Sequence, residues 1–173
     1  IRATLRNSPL GRFCRDTKSK YTIEIPALNG RIFSLASNSS GAEGLNLSAC
    51  LIDEYHAHRD KGKLYKALKY STKSRRGVVG VISTAGDCVT HPFYTLYLRA
   101  KRIANGEEID PTFLPLLFEP DADGDPTDPV QWHKGNPSLG VSQEVEDFEL
   151  EMKAAQGSVA DWLCWQRYSL NRW

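Results

Sequence analysis

The sequence has no apolar run near the ~20 residues that a membrane-spanning helix needs. Its basic start, IRATLRNSPLGRFCRD, contains no apolar stretch of signal-peptide length. None of its four cysteines, Cys14, Cys50, Cys88 and Cys164, lies within ten residues of another. That excludes a CxxC pair and a zinc framework. Scattered thiols suit a reducing compartment, so the expected location is intracellular. No repeat of solenoid period is present. The chain does not begin with Met, which is read as a cut point at residue 1.

What is there is globular in character. The chain has 173 residues, 40% of them hydrophobic and 25% charged. That excludes wholesale disorder and gives enough length for a core without metal or disulfide staples. The net charge of +1 hides a division along the chain. Residues 59–102 carry a net +9, and residues 103–161 a net −12. Either the basic block faces an anionic partner, or both blocks are solvated and neutralise each other.

Residues 21–25 and 31–36 are rich in β formers, and Asn29-Gly30 between them predicts a hairpin. A polar loop follows over 37–46. Residues 47–52, LSACLI, read as a strand buried on both faces, ending abruptly at Asp53-Glu54. Leu64, Tyr65 and Leu68 predict a helix over 62–72. Residues 77–82, GVVGVI, form a second buried strand, followed by Ser83-Thr84-Ala85-Gly86. Pro92 opens a helix over 91–105 that Gly106 stops. Residues 113–118 read as an edge strand because of Pro115, and 119–130 as an acidic loop. Helices are expected around 142–156 and 158–168. Alternating strands and helices predict an α/β fold with a mostly parallel sheet, made mixed by the early hairpin.

The sharpest feature is LSACLIDEYHAH. An apolar strand ending in Asp-Glu is the Walker B pattern. Ligands of open α/β sheets bind beyond the carboxyl ends of the strands. There Asp53 is placed to hold Mg²⁺, through water, and Glu54 to deprotonate an attacking water. The alternative is a solvated acidic turn. Small hydroxyl residues at the tip of the next strand, Ser83 and Thr84, can sense a γ-phosphate and report it to the following loop.

These pieces, with DPTFLPLLFEPD, DPVQWHKGNPSLG and RYSLNRW, resemble in order the large terminase subunit of tailed bacteriophages, over roughly residues 21–173. The resemblance implies a partial P-loop NTPase core of the ASCE type with flanking helices. It divides the chain into a partial ATPase core, 1–118, and an acidic loop with a trailing helical region, 119–173. It implies ATP hydrolysis coupled to movement of double-stranded DNA into a procapsid, with ATP and Mg²⁺ as cofactors. Asp53-Glu54 is then Walker B plus the catalytic carboxylate, and Ser83-Thr84-Ala85-Gly86 the coupling segment. The expected partners are DNA, portal and procapsid, the small terminase subunit and further copies in a ring, in the host cytoplasm.

The chain also departs from the family. It contains no GxxxxGK[ST] phosphate cradle, which the family carries upstream, and no RNase H-like endonuclease domain, which the family carries downstream. The chain is therefore expected to be a middle piece, inactive alone. Residues 32–58 contain no Arg or Lys, where some relatives carry an arginine finger. Arg31, Arg59, Arg75 and Arg76 are the substitutes, with Arg75 and Arg76 also candidate DNA contacts. Two rival readings stand beside this one: a helicase-like P-loop ATPase, and a non-catalytic DNA-binding or assembly module.

Other constellations read as structural. His56 and His58 diverge on a helix, so packing or hydrogen bonding behind the carboxylates is favoured over metal binding. Asp121, Asp123 and Asp125 start like an EF-hand loop that fails at Pro126 and Trp132. Trp162, Trp165 and Tyr168 read as the buried face of a helix.

Overall fold

The computed structural model describes residues 2–17, 22–36 and 42–173. The elements are helix α1 (Arg2–Arg6), strands β1 (Arg15–Thr17), β2 (Thr22–Ile25), β3 (Gly30–Phe33) and β4 (Ala49–Asp53), helix α2 (Lys63–Ser71), strand β5 (Val78–Ile82), and helices α3 (Pro92–Ala104), α4 (Pro129–Gly135), α5 (Val145–Ala155) and α6 (Val159–Leu170). Tyr21 and the first half of the polar loop, residues 37–41, lie outside the described residues.

The expected hairpin forms. β2 pairs antiparallel with β3, and Asn29 takes the left-handed conformation at φ 46° to close the turn. It does not join a mixed sheet, however. β1 pairs antiparallel with the other edge of β2, giving a three-stranded antiparallel sheet, while β4 and β5 form a separate parallel pair. A hairpin alone is marginal, and β1 supplies its third strand locally.

β4 and β5 run in register from Ala49 opposite Val78 to Asp53 opposite Ile82. α2 is the crossover between them. Its first turn is capped by the Asp60 carboxylate, which accepts from the Gly62 and Leu64 N–H groups. Leu64 and Leu68 then bury against Ile52 and Tyr55. Tyr55 is fully enclosed, stacks on Tyr65 at 5.2 Å, and has its phenol pushed up to about 12 by burial. A Cβ at Gly77 would sit 2.7 Å from the Leu47 and Ser48 carbonyl oxygens, so only glycine permits that approach at the foot of β5.

Two further expectations fail. The strands are not buried on both faces: Leu51, Val78 and Ile82 remain 65%, 68% and 57% exposed. Only one face is covered, by α2 and α3 side chains. Nor does 113–118 form a strand. Pro115 donates no hydrogen bond, and no described strand lies alongside. The segment takes no regular secondary structure, and lines a cavity of about 190 Å³ together with Leu96, Tyr97 and Ala100 of α3.

The acidic chain after α3 folds back on it. Arg99 holds Glu108 at 2.7 Å and Asp110 at 2.6 Å, and Lys101 holds Glu119 at 2.8 Å. Hydrogen bonds from Thr112, and then from Arg99, hold the Asp110 carboxyl down at about 2. A second core joins α4, α5 and α6 through Trp132, Leu139, Phe148, Met152, Trp165 and Leu170. Asp121 and Asp125 belong to this local framework: Asp121 meets Gln131 and Lys134, and Asp125 caps Thr127. Trp162 and Trp165 stack in the core, but Tyr168 is half exposed and turns away toward His56.

Candidate functional site

Because β4 and β5 are parallel and in register, Asp53-Glu54 and Ser83-Thr84 leave the sheet at the same end. The two tips are stitched together. Glu54 takes a left-handed conformation at φ 48°, uncommon for a residue with a side chain, and starts the 3-10 turn Tyr55–Ala57. That turn delivers the His56 N–H to Ser83 Oγ at 3.1 Å. His56 Nδ1 lies 2.9 Å from Ser83 Oγ, 3.1 Å from Glu54 Oε2 and 3.4 Å from Thr84 Oγ1. Behind them, His58 Nε2 meets the Asp53 carbonyl at 3.1 Å, and His91 Nε2 meets the His58 carbonyl at 2.7 Å. His91 Nδ1 accepts from the Phe93 N–H, so the cap of α3 is tied to the same turn.

The two carboxylates differ in setting. Asp53 is exposed, and its carboxylate has no hydrogen-bond or ion-pair partner among the described residues. A strand-tip carboxylate of this kind suits a cation held through water, with the remaining ligands supplied by nucleotide and solvent. Glu54 is half exposed and leans on His56. Among the described residues, no group of three or more His, Cys, Asp or Glu could hold a metal ion. Donors for Mg²⁺ are thus present in part, and a phosphate cradle is missing from the sequence.

The basic candidates separate by position. Arg75 and Arg76 lie just before β5, at the foot of the sheet, where Arg75 Nη1 reaches Ser48 Oγ at 3.5 Å. They stand at the opposite end from Asp53 and Glu54 of the same chain. Arg31 sits within β3, opposite Glu24. Arg59 follows directly on His58, whose ring meets the Asp53 carbonyl, so among these four it is nearest the tip along the chain.

No family model matches the chain. A curated Escherichia coli (strain K12) protein, YmfN, is 27% identical over 100 residues, covering 58% of this chain and 22% of that protein. The crystal structure of the HK97 bacteriophage large terminase superposes with a TM-score of 0.79 at 18% identity, over 94% of this chain and 33% of that one. The fold is that of part of a phage large terminase. The chain spans about a fifth of YmfN and a third of the terminase.

Within the terminase fold, two segments whose roles the sequence left open have structural work. In NPSLG, the Asn136 side-chain amide donates to the Trp132 and Ser169 carbonyls, Leu139 is buried, and Gly140 turns at φ 85°. In LNRW, Leu170 is fully buried. Asn171, left-handed at φ 56°, donates to the Phe118 and Gly135 carbonyls, and Arg172 donates to those of Ala122 and Gly124. Trp173 stacks on Tyr97 at 5.3 Å and lies against Tyr94 at 4.7 Å. A Cβ at Gly86 would come within 3.0 Å of the Trp173 ring, so the glycine of STAG makes room for it. Arg167 of α6 meets Asp87 at 3.4 Å. The trailing helices therefore dock on the loop that follows Ser83-Thr84.

Proposed function

We propose that this chain is part of the large subunit of a viral DNA-packaging motor, an ATPase that moves double-stranded DNA into a procapsid from the host cytoplasm. The observation that carries the reading is the meeting of an Asp-Glu strand tip and a Ser-Thr strand tip on adjacent parallel strands, within a terminase fold. Asp53 is the carboxylate for Mg²⁺. Glu54 is the acceptor for the proton of the attacking water. Ser83 and Thr84 sense the phosphate end of the nucleotide. Bound Mg-ATP would supply the phosphoryl chemistry; these residues orient water and hold its proton. Portal, small subunit and further copies of the chain are the partners this reading carries with it, and a nuclease domain belongs to the whole protein it describes.

Because the sequence holds no phosphate cradle, this chain alone should show no binding in titration calorimetry with Mg-ATP. Micromolar binding would overturn the assignment of a missing part. For the intact protein the test is phosphate release stimulated by double-stranded DNA. DNA binding without hydrolysis would favour the assembly-module reading instead.

The basic block supports the DNA side of the proposal in one half only. Arg99, Lys101 and Arg102 are neutralised by the acidic strap. Lys63, Lys66, Lys69, Lys73, Arg75 and Arg76, along α2 and its C-terminal turn, are exposed and have no carboxylate partner among the described residues. Changing Arg75 and Arg76, or Lys66 and Lys69, to Ala should weaken binding equally across DNA sequences. The slope of log affinity against log salt should flatten by about one unit per lost phosphate contact. An unchanged slope with unchanged affinity would make this face merely solvated.

A further inference from the structure

The reading above gives no task to His56, yet it is the most connected side chain at the tip. Its side chain is only 11% exposed, and three oxygens converge on one of its atoms, Nδ1: Ser83 Oγ, Glu54 Oε2 and Thr84 Oγ1. A ring nitrogen carries at most one hydrogen. The Ser83 hydroxyl donates to the Thr84 carbonyl at 3.1 Å and accepts the His56 backbone N–H, so toward the ring it offers a lone pair. An ionised Glu54 offers only lone pairs. Both oxygens therefore call for the same hydrogen, and it can point fully at one of them at a time. The left-handed turn at Glu54 is what folds its side chain back over the ring two residues on. On the far side the ring stands 6.3 Å from Tyr168 of α6, and its Cβ would lie 3.3 Å from a Cβ at Gly86.

We infer that His56 is a positioning residue whose single Nδ1 hydrogen is shared between the Glu54 carboxylate and the Ser83 hydroxyl, so that the aim of Glu54 and the conformation of the Ser83-Thr84 tip are set together. The inference rests on the assignment of Glu54 as proton acceptor. A hydrogen bond from Nδ1–H to Oε2 holds the Glu54 carboxylate back over the ring. When the hydrogen turns to Ser83, that tether is lost and the carboxylate is free to swing away from the ring. Movement of the Ser83-Thr84 tip, and of Tyr168 of α6 beside the ring, thereby changes the aim of Glu54 without touching it. The element with two arrangements is the bifurcated N–H itself.

Two measurements test this. The first reads the ring in this chain by long-range proton–nitrogen NMR with labelled histidine. The expected result is a protonated Nδ1 whose resonance shifts in both Glu54→Gln and Ser83→Ala but not in Asp53→Asn, since Asp53 touches no atom of the His56 ring. A hydrogen on Nε2 alone, or a resonance indifferent to both variants, overturns the proposal. The second uses the intact ATPase. His56→Leu should lower kcat about tenfold or more with KM for ATP within about threefold, and His56→Asn, which sets an amide N–H near the Nδ1 position, should recover most of the loss. A His56→Leu enzyme within about twofold of wild-type kcat, or an Asn variant no better than Leu, overturns it. Should Glu54→Gln leave hydrolysis intact, the assignment of Glu54 fails first. Should Glu54→Gln abolish hydrolysis while His56→Leu does not, only the role of His56 fails.

Discussion

On the proposed reading, Glu54→Gln in the full-length protein should lower ATP hydrolysis by at least about a hundredfold, the lower end of the usual contribution of a general base. The amide keeps the shape and volume of the carboxylate. It can still face the His56 ring, now with a donor or acceptor of its own, so the turn at residues 55–57 should persist. It cannot accept the proton of the attacking water. Nucleotide binding should therefore survive, and the loss should fall on kcat rather than on KM. The measurement is steady-state phosphate release beside Mg-ATP affinity.

Asp53→Asn supplies the contrast. Its carboxylate stands exposed at the end of β4 with no described partner, so removing its charge leaves no buried cation stranded and costs little folding stability. What it removes, on the proposed reading, is the negative charge that would face Mg²⁺. Affinity for Mg-ATP should fall, and added Mg²⁺ should restore part of it. A solvated acidic turn would not separate two adjacent carboxylates this way. Near wild-type hydrolysis by Glu54→Gln would remove the catalytic reading of this strand tip.

The site was legible where chemistry and fold share a short signal. Two apolar runs, each ending in small polar or acidic residues and joined by one helix, left few arrangements for β4, α2 and β5. Pro92 marked α3 for the same reason, since a first-turn proline is a local signal; the cap before it, His91, was not read. α4 carried that very signal, Asp128 as cap and Pro129 at its first position, but the acidic Pro/Gly stretch around it read as loop. The strap at 113–118 has the composition of a strand and lacks a neighbour to pair with, which is a property of the tertiary structure. The open face of β4 and β5 was misread for a similar reason, since apolar Leu51 and Val78 do not say what covers them. His56 was readable only as a residue behind the carboxylates. Two of its three oxygen neighbours, Ser83 Oγ and Thr84 Oγ1, lie 27 and 28 residues along the chain, and no periodicity reports that. The position of Trp173 on α3 depends wholly on the packing of the helices before it.

That packing yields the second large effect. Leu170→Ala should cost about 2–5 kcal/mol of folding stability, because a fully buried leucine loses its burial and leaves a cavity that its neighbours fill only in part. Those neighbours include Trp132, Phe148 and Trp165; the Phe148 ring stands 5.3 Å from each tryptophan, tilted on Trp132 and edge-on to Trp165, and rings so interlocked relax poorly. The backbone cannot close the gap either. A Cβ at Gly135 of α4 would sit 3.0 Å from the Leu170 carbonyl oxygen, so α4 and α6 already touch there. Asn171→Gly is the matched control. It keeps the left-handed conformation at no steric cost and gives up the side-chain hydrogen bonds to the Phe118 and Gly135 carbonyls. Each is worth about 1 kcal/mol net, so the control should lose about 2 kcal/mol at most, the bottom of the range for Leu170→Ala. Urea unfolding followed by tryptophan fluorescence reads both variants. Leu170→Ala should also loosen Trp173 from Tyr94 and Tyr97, because three residues of backbone are all that carry the ring from the core to α3. A Leu170→Ala protein no less stable than Asn171→Gly would mean that the helices are held by their carbonyl latches and not by the core beneath them.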